Sequence, residues 1–214
     1  MGLSDAAALA QRLRAAVRNE RVLAAIASIP RERFVPPSER ARAYENVALP
    51  IACEQTISQP LVVARMLEAL DPRPSDRVLD IGTGSGYHAA LLALLAEHVW
   101  TIERHAELSA EAERVIGALG LDNVTFVVGD GTRGLPTEAP FDAINVAAAT
   151  RETVARSLEQ QLAVGGRMVV PVGNRRQHLI LTRRAPEGFA HRRLEAVRFV
   201  PLIRGGEPPA EAGE

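Results

Sequence analysis

The fold is decided by the stretch RVLDIGTGSGY, which occupies residues 77–87. Its first five residues are mostly apolar and predict a buried strand. The glycines that follow, Gly82, Gly84 and Gly86, allow a tight backbone turn and predict a loop that opens a helix. A strand, a glycine-rich loop and a helix in this order are typical of an α/β sheet that binds its ligand at the loop.

An acidic residue stands at the distance that such a loop requires. The next predicted strand ends at Glu103, 21 residues after Gly82. In nucleotide-binding sheets, an acid at this place accepts hydrogen bonds from ribose hydroxyls. A plain structural turn would explain the glycines alone. The loop, its strand and the spaced acid together favour nucleoside binding.

From Arg77 onward, strand and helix patterns alternate along the chain. Short links between them indicate βαβ units, and therefore a doubly wound, mostly parallel α/β sheet with helices on both faces. The predicted strands are residues 77–81, 98–103, 124–128, 141–146 and 167–171, and the predicted helices are residues 86–95, 106–119 and 152–161.

The last third of the chain has a different pattern. Residues 179–184 and 194–200 are strand-like, and the turn residues 186–188 lie between them. Because this spacing leaves no room for a crossover helix, we expect an antiparallel pairing at one edge of the sheet.

The N-terminal region is predicted to be helical and then irregular. Ser4 or Asp5 can cap a helix that runs to about Val17, and Asn19 can cap a second one that runs to about residue 28. Residues 30–57 contain several prolines and predict a loop-rich segment with one short helix near residues 38–44. Ser58-Gln59-Pro60 resembles a helix start with Ser58 as its cap.

Composition excludes several classes of protein. The chain has 214 residues, enough for one generous domain, and its 25 basic and 26 acidic residues leave a net charge of −1, which gives no overall attraction for nucleic acid or an anionic membrane. All basic residues are Arg, so a catalytic lysine or a P-loop is excluded. A single Cys and scattered His residues argue against a zinc site. Residues 89–96 form the longest apolar run, too short for a membrane span, and we expect a cytoplasmic protein.

The spacing of the glycines indicates which class of nucleoside ligand the loop binds. Dinucleotide-binding loops place a glycine at the sixth position, which here is Tyr87. The pattern D-x-G-x-G-x-G instead resembles motif I of the S-adenosylmethionine-dependent methyltransferases. Residues 129–131 (Gly-Asp-Gly) and residues 141–142 (Phe-Asp) stand where that superfamily places its next motifs.

Five further segments narrow the assignment: Arg33-Phe34-Val35-Pro36, Tyr44-Glu45, Leu49-Pro50-Ile51, Gln55-Thr56-Ile57-Ser58-Gln59-Pro60 and Val197-Arg198-Phe199-Val200-Pro201-Leu202. Together they resemble one family, the protein-L-isoaspartate O-methyltransferases. The likeness covers the chain from about residue 19 to residue 205.

The resemblance implies a protein-repair enzyme that uses S-adenosyl-L-methionine and yields S-adenosyl-L-homocysteine. Its substrates would be proteins and peptides that contain L-isoaspartyl residues, whose α-carboxylate it methylates; nucleic acid, membranes and metals would not be partners. We expect one structural domain, in which N-terminal helices and an active-site loop (residues 1–58) pack on the methyltransferase core (59–205), with a disordered tail at 206–214.

The resemblance also implies which residues form the site. Ser58 matches the catalytic hydroxyl, which would hydrogen-bond the substrate carboxylate. Such a carboxylate has a pKa near ~4 and is already ionised, so no strong base is needed. Ser58 is not expected to be a covalent nucleophile, because no His stands beside it in sequence. The implied cofactor residues are Gln55, Thr56, Ile57, Asp80, Gly82, Thr83, Gly84, Gly86, Glu103, Arg104, Asp130 and Gly131; the implied substrate residues are Ser58, Val200, Pro201 and Leu202.

The chain departs from the family pattern in two places. Residues 52–54 (Ala-Cys-Glu) lack the family's glycine, and a positive φ there would strain Ala52 and Glu54 by about 1 kcal/mol each. Cys53 would be a small apolar filler. In the fourth strand of the sheet, Asn145 replaces an aliphatic residue. We expect its side chain either to contact the cofactor or substrate, or to hydrogen-bond a buried backbone group. Ala147 and Thr150 differ just beyond it.

Two other functions stay open from the sequence. One is a carboxyl methyltransferase that modifies an aspartate in a dedicated peptide, although enzymes of that kind often have an additional domain. The other is a non-catalytic S-adenosylmethionine-binding homologue, against which the retention of Ser58, the glycines and Glu103 argues.

Overall fold

The structure is a computed structural model that describes residues 4–151 and 155–205. A seven-stranded sheet forms its centre, with the strand order β5-β4-β3-β6-β7-β8-β9. Strands β3 to β7 pair in parallel, and β8 and β9 complete the sheet as an antiparallel pair. The strands are β1 (Leu49–Pro50), β2 (Thr56–Ile57), β3 (Arg77–Ile81), β4 (His98–Glu103), β5 (Val124–Val128), β6 (Phe141–Val146), β7 (Leu162–Val172), β8 (Gln177–Ala185) and β9 (Gly188–Val197).

Helices flank the sheet and precede it in the chain. They are α1 (Asp5–Leu13), α2 (Glu20–Ser28), α3 (Pro60–Leu70), α4 (Tyr87–Ala93), α5 (Ala106–Gly117) and α6 (Arg156–Glu159), with 3-10 turns at Arg31–Phe34, Pro37–Arg42 and Gly131–Arg133. The predicted doubly wound α/β class, with an antiparallel edge, is therefore confirmed. Among the described residues, no helix is long and apolar enough to cross a membrane.

Several element boundaries differ from the sequence prediction. Helix α1 ends at Leu13 rather than Val17, because the chain turns at once to bring α2 alongside. The short helix expected near residues 38–44 is a 3-10 turn that begins at Pro37. Strand β7 begins at Leu162, not at residue 167, since Phe141 of β6 already pairs with Leu162. Of the predicted helix 152–161, residues 152–154 lie outside the described residues.

Helix caps were predicted with mixed success. The Ser4 hydroxyl accepts a hydrogen bond from the Ala7 N–H at 3.2 Å, and Asn19 accepts bonds from the first turn of α2, as predicted. At α3 the cap is Gln59, which makes no side-chain capping bond, and Pro60 is the first helical residue. The prediction that Ser58 caps this helix is wrong, and its hydroxyl is left for another role.

Apolar side chains bury both faces of the sheet. Successive residues of a strand point to opposite faces, and Val78 and Leu79 accordingly enter two different hydrophobic clusters. The cluster around Val78 also contains Leu9 and Leu23 of the N-terminal helices, so these helices pack on the core. The division of the chain at residue 58 stays a prediction, and residues 206–214 lie outside the described part.

The parallel strands direct their loops to one edge of the sheet. Strands β3, β4 and β6 all end there, and the crevice beyond their carboxyl ends is the usual ligand site of such folds. The glycine loop after β3 has φ angles of +89° at Gly82 and +87° at Gly86. A Cβ on Gly86 would lie 2.8 Å from the Ala112 Cβ, so glycine is required there for α5 to pack against the loop.

Candidate active site

A crevice at the carboxyl edge of the sheet brings together segments that are far apart in sequence. The glycine loop and the end of β4 form one side, while β2 and the segment after β9 form the other. Most of the residues implied by the sequence lie on its wall: Gln55, Thr56, Ile57, Ser58, Gly82, Thr83, Gly84, Glu103, Arg104, Gly131, Val200, Pro201 and Leu202.

Three of the implied cofactor residues do not line this crevice. Asp80 is fully buried in β3 below the glycine loop. Gly86 faces α5 and serves the packing described above. Asp130 uses its carboxylate to accept bonds from Thr132 and from the Gly205 N–H at 3.0 Å. These three residues therefore support the crevice from behind or from its rim.

Glu103 holds the glycine loop in place. Its carboxylate is only 6% exposed and accepts the Gly84 N–H at 2.9 Å on one oxygen and the His105 N–H at 3.1 Å on the other. Each carboxylate oxygen can accept two hydrogen bonds, so each keeps one acceptor site. Glu103 can therefore fix the loop and still receive hydroxyl groups of a ligand.

A buried polar network lies beneath the loop. Asp80 accepts one bond from the Asn145 side-chain amide at 2.8 Å and another from the Thr101 hydroxyl at 3.0 Å. The Thr101 hydroxyl also meets the Thr83 hydroxyl at 2.7 Å, which joins the network to the glycine loop. Burial raises the pKa of Asp80 to about 7, although the bonds from Asn145 and Thr101 oppose this shift and the nearby Glu103 charge adds to it.

Asn145 thus has a role that the sequence did not predict. It was expected to touch the cofactor or substrate or to satisfy a backbone group, and it instead donates to the Asp80 carboxylate from the neighbouring strand β6. Asn145 is fully buried and does not line the crevice. Ala147, two residues further on, does line it.

Ser58 stands where two concave surfaces meet. It lines the crevice and also an adjoining groove formed with residues 196–200. No hydrogen bond to its hydroxyl is made within the part of the chain that the structure describes, whereas its carbonyl accepts a bond from Arg31 at 2.7 Å. The Ser58 backbone is therefore fixed while its hydroxyl remains available.

Arg31, which the sequence reasoning missed, supports Ser58 from the interior. Its side chain is fully buried, donates to the Ala43 carbonyl at 2.8 Å, and lies 4.8 Å over the Tyr87 ring. Burial lowers the pKa of Arg31 to about 10, which still leaves it charged at neutral pH. No local pattern marks this arginine, because its burial depends on the packing of the 3-10 turn against α4.

His88 was also missed and lines the crevice just after the glycine loop. Burial, together with the Arg31 charge, lowers its pKa to about 4, so the imidazole is neutral at physiological pH. Its buried Nε2 has no hydrogen-bond partner among the described residues. Its position in the first helical turn after the glycine loop could have indicated that it lines the crevice. No hydrogen bond between His88 and Ser58 is made within the described residues, and the expectation that Ser58 is not a covalent nucleophile stays a prediction.

The segment after β9 is held firmly along the crevice. The Ala149 N–H donates to the Val200 carbonyl and the Leu202 N–H donates to the Ala149 carbonyl, both at 2.8 Å. The Gln177 side chain binds the backbone of Phe199 through both its groups. Because backbone groups alternate sides in an extended segment, the Pro201 carbonyl faces away from Ala149 and can accept a bond from another chain.

The loop at residues 52–54 is strained, although not quite as predicted. Cys53 and Glu54 have φ angles of +54° and +58°, whereas Ala52 does not have a positive φ. The strain predicted at Ala52 therefore falls on Cys53, and the one at Glu54 is confirmed. Cys53 is more than an apolar filler, since its sulfur lies 3.8 Å from a carboxylate oxygen of Glu107.

Fold and site together define a Rossmann-like methyltransferase of the class that uses S-adenosylmethionine. Among the described residues, no group of three or more His, Cys, Asp or Glu side chains could hold a metal ion. The sequence model of the family "Protein-L-isoaspartate(D-aspartate) O-methyltransferase" matches residues 4–207, and the chain belongs to this family.

Individual relatives agree with this assignment. The protein-L-isoaspartate O-methyltransferase of Paracoccus denitrificans is 52% identical over 191 residues, which are 88% of this chain and 88% of that relative. A solved protein-L-isoaspartate O-methyltransferase superposes with a TM-score of 0.81 at 31% identity, covering 92% of this chain but only 65% of the longer solved chain. A Plasmodium falciparum structure, solved with S-adenosyl-L-homocysteine, shares the fold with a TM-score of 0.81, 23% identity, and coverage of 94% and 100%.

Proposed function

We propose that this chain transfers a methyl group from S-adenosyl-L-methionine to the α-carboxylate of L-isoaspartyl residues in damaged proteins. The observation that carries the proposal is the position of Ser58, which lines both the crevice at the glycine loop and the adjoining groove formed with residues 196–200. Family membership gives the reaction, and this junction gives the place where its two reactants would meet.

The residues of the crevice fit the proposed cofactor. Gly82 and Gly84 keep side-chain atoms away from the loop, and a Cβ on Gly131 would lie only 2.6 Å from an Ile81 methyl carbon. Glu103 has acceptor sites left for the two ribose hydroxyls. When bound, the cofactor supplies a methyl group that is activated by a positively charged sulfur. Gln55, Thr56 and Ile57 would surround that end of the molecule.

The proposed reaction needs no general base from the protein. An isoaspartyl α-carboxyl is ionised at neutral pH, because its pKa is near ~4. The Ser58 hydroxyl donates a hydrogen bond to one carboxylate oxygen, and this bond turns the other oxygen toward the methyl group. Arg31 keeps Ser58 in position through its bond to the Ser58 carbonyl. Orientation of this kind can supply much of the rate of a displacement between pre-bound reactants.

The peptide would lie along the segment after β9. The Pro201 carbonyl would accept a backbone N–H of the substrate, while the bonds from Ala149 and Gln177 keep this segment extended. A rigid backbone edge binds main chain rather than particular side chains, which suits an enzyme whose substrates share only the damaged residue. The cytoplasmic location stays a prediction from the sequence.

Paired peptides test this proposal. The chain is incubated with cofactor labelled in its methyl group and with two peptides that differ only in having L-isoaspartate or L-aspartate at one position. Base-labile label on the isoaspartyl peptide alone is the expected result. Label on the aspartyl peptide would favour a dedicated aspartate methyltransferase. Label on neither peptide, with intact cofactor binding, would favour the non-catalytic homologue.

A further inference from the structure

A second groove, which we name the arginine trough, continues from the groove at Ser58. None of the described residues that line it is Asp or Glu. Its cationic side chains are Arg151, Arg175, Arg176, Arg193 and Arg198, with His178 beside them.

Three arginines of this trough are not paired with an acidic side chain in the part of the chain that the structure describes. Within residues 4–151 and 155–205, no salt bridge is made by Arg175, Arg176 or Arg198, all of which are exposed. Other arginines of the chain do form salt bridges, as Arg65 does with both Glu68 and Glu195. Since the whole chain carries a net charge of −1, the trough is a local concentration of positive charge.

The trough is continuous with the site at Ser58. Residues 196–199 line both the groove at Ser58 and the trough. Arg175 and Arg176 lie in the loop after β7, and β7 runs parallel to β6, so this loop emerges at the same edge of the sheet as the crevice. The bonds between Gln177 and Phe199 fix that loop to the segment along which a peptide would lie.

We propose that the arginine trough binds acidic side chains of the substrate, on one side of the isoaspartyl residue. This inference rests on the proposed function and deepens it by naming a preferred substrate class: isoaspartyl residues within acidic, extended segments. Guanidinium groups bind carboxylates through paired N–H donors, and exposed arginines retain the freedom to reach side chains of different length. Complementary charge also speeds the encounter with an acidic peptide.

Three matched peptide series test the inference. Each peptide has the same isoaspartyl residue, followed or preceded by a short run of Glu, Gln or Arg. With the whole chain at low ionic strength, we expect the Glu run to lower KM about tenfold relative to the Gln run on one side only, with kcat little changed. High salt should remove most of this difference, because exposed charges are screened.

Two double variants locate the effect. In R175Q/R176Q the preference for Glu should fall to about twofold or less, while methylation of the Gln peptide stays as in the unchanged chain. R18Q/R73Q removes the same charge from exposed arginines outside the trough and should keep the preference. R175E/R176E should reverse it and favour the Arg peptide.

Each other outcome would overturn the inference. Equal KM values for Glu and Gln peptides would do so, as would an equal gain on both sides of the isoaspartyl residue or an equal loss in both double-glutamine variants. A short oligonucleotide that inhibits more strongly than a Glu-rich peptide without isoaspartate would assign the trough to nucleic acid. If the Gln peptide is not methylated at all, the proposed function itself fails, so the two failures are distinguishable.

Discussion

The two walls of the crevice differ in how much of their hydrogen-bonding capacity the protein uses itself. On the glycine-loop wall (residues 81–84 with Glu103), the Glu103 carboxylate is bonded to loop amides, and the Thr83 hydroxyl is bonded to the buried network of Thr101, Asp80 and Asn145 beneath it. On the Ser58 wall (Ser58 with residues 199–202), the Ser58 hydroxyl and Pro201 carbonyl have no partner within the described residues. The first wall is preorganised for one constant ligand, while the second keeps free groups for a variable one.

Removing the free hydroxyl of the Ser58 wall should have the largest effect. Ser58→Ala is expected to lower kcat for an isoaspartyl peptide about 100-fold, because the carboxylate loses the donor that orients it. The dissociation constant of the cofactor, measured by calorimetry, should change less than about threefold. Ser58→Thr keeps a hydroxyl and should recover much of the rate. Full activity in Ser58→Ala would refute the orienting role.

Loss of the Glu103 carboxylate on the glycine-loop wall should affect cofactor binding more than kcat, the reverse of the result for Ser58→Ala. Glu103→Ala is expected to weaken cofactor binding about 30-fold, since charge-assisted bonds to ligand hydroxyls and the bond to Gly84 are both lost. At saturating cofactor, kcat should fall much less. Glu103→Gln keeps an acceptor and should lie between the two proteins. An unchanged dissociation constant in Glu103→Ala would remove this residue from the cofactor site and erase the contrast between the walls.

How much of this arrangement the sequence predicts depends on how local each cause is. The strand, loop and helix at residues 77–87 and the caps at Ser4 and Asn19 follow from neighbouring residues, and all were predicted. The role of Arg31 could not be predicted, because its burial depends on contacts with Ala43 and Tyr87, which are distant from it in sequence.

The Ser58 wall shows the same limit. Nothing within residues 55–60 places Ser58 beside residues 199–202, and only the resemblance to a family brought these segments together. The local pattern even suggested a helix cap at Ser58, a role that Gln59 has instead. The network of Asp80 was equally unpredictable from local sequence, since Asn145 reaches it from β6, which follows β3 in the chain only after β4 and β5.

The buried network predicts a distinctive pH dependence. Burial raises the pKa of Asp80 from 3.8 in the unfolded chain to about 7, so the folded protein keeps a proton that the unfolded chain releases. The stabilisation by this group is therefore complete below pH ~4 and is lost as the pH rises through ~7, by at most about 1.4 kcal/mol per pH unit.

Denaturant unfolding of Asp80→Asn across that range measures this contribution. The free energy of unfolding of the unchanged chain, minus that of the variant, should fall as the pH rises, because every other group titrates in both proteins. Asp122→Asn, at an exposed position, serves as the control and should give a nearly constant difference. A constant difference for Asp80→Asn as well would contradict the raised pKa.

Relieving backbone strain in the loop at residues 52–54 should have the smallest effect, a small change in melting temperature. Glu54 has a φ of +58°, a conformation that costs a residue with a side chain about 1 kcal/mol more than glycine. Glu54→Gly should therefore raise the melting temperature by about 2–4 °C in a thermal scan. Ala52→Gly, where φ is not positive, should leave it unchanged or lower it. Equal shifts in both variants would show that the loop is not strained in the way described.

The central claim is that the two walls bring the cofactor's methyl group to an isoaspartyl α-carboxylate. Tandem mass spectrometry of an isoaspartyl peptide tests it most directly, after a short incubation with chain and cofactor at mildly acidic pH, where the ester survives. We predict one added methyl group, located on the isoaspartyl residue, none on the matched aspartyl peptide, and about 100-fold less ester with Ser58→Ala. A methyl group at any other position, or equal methylation of the aspartyl peptide, would contradict the account.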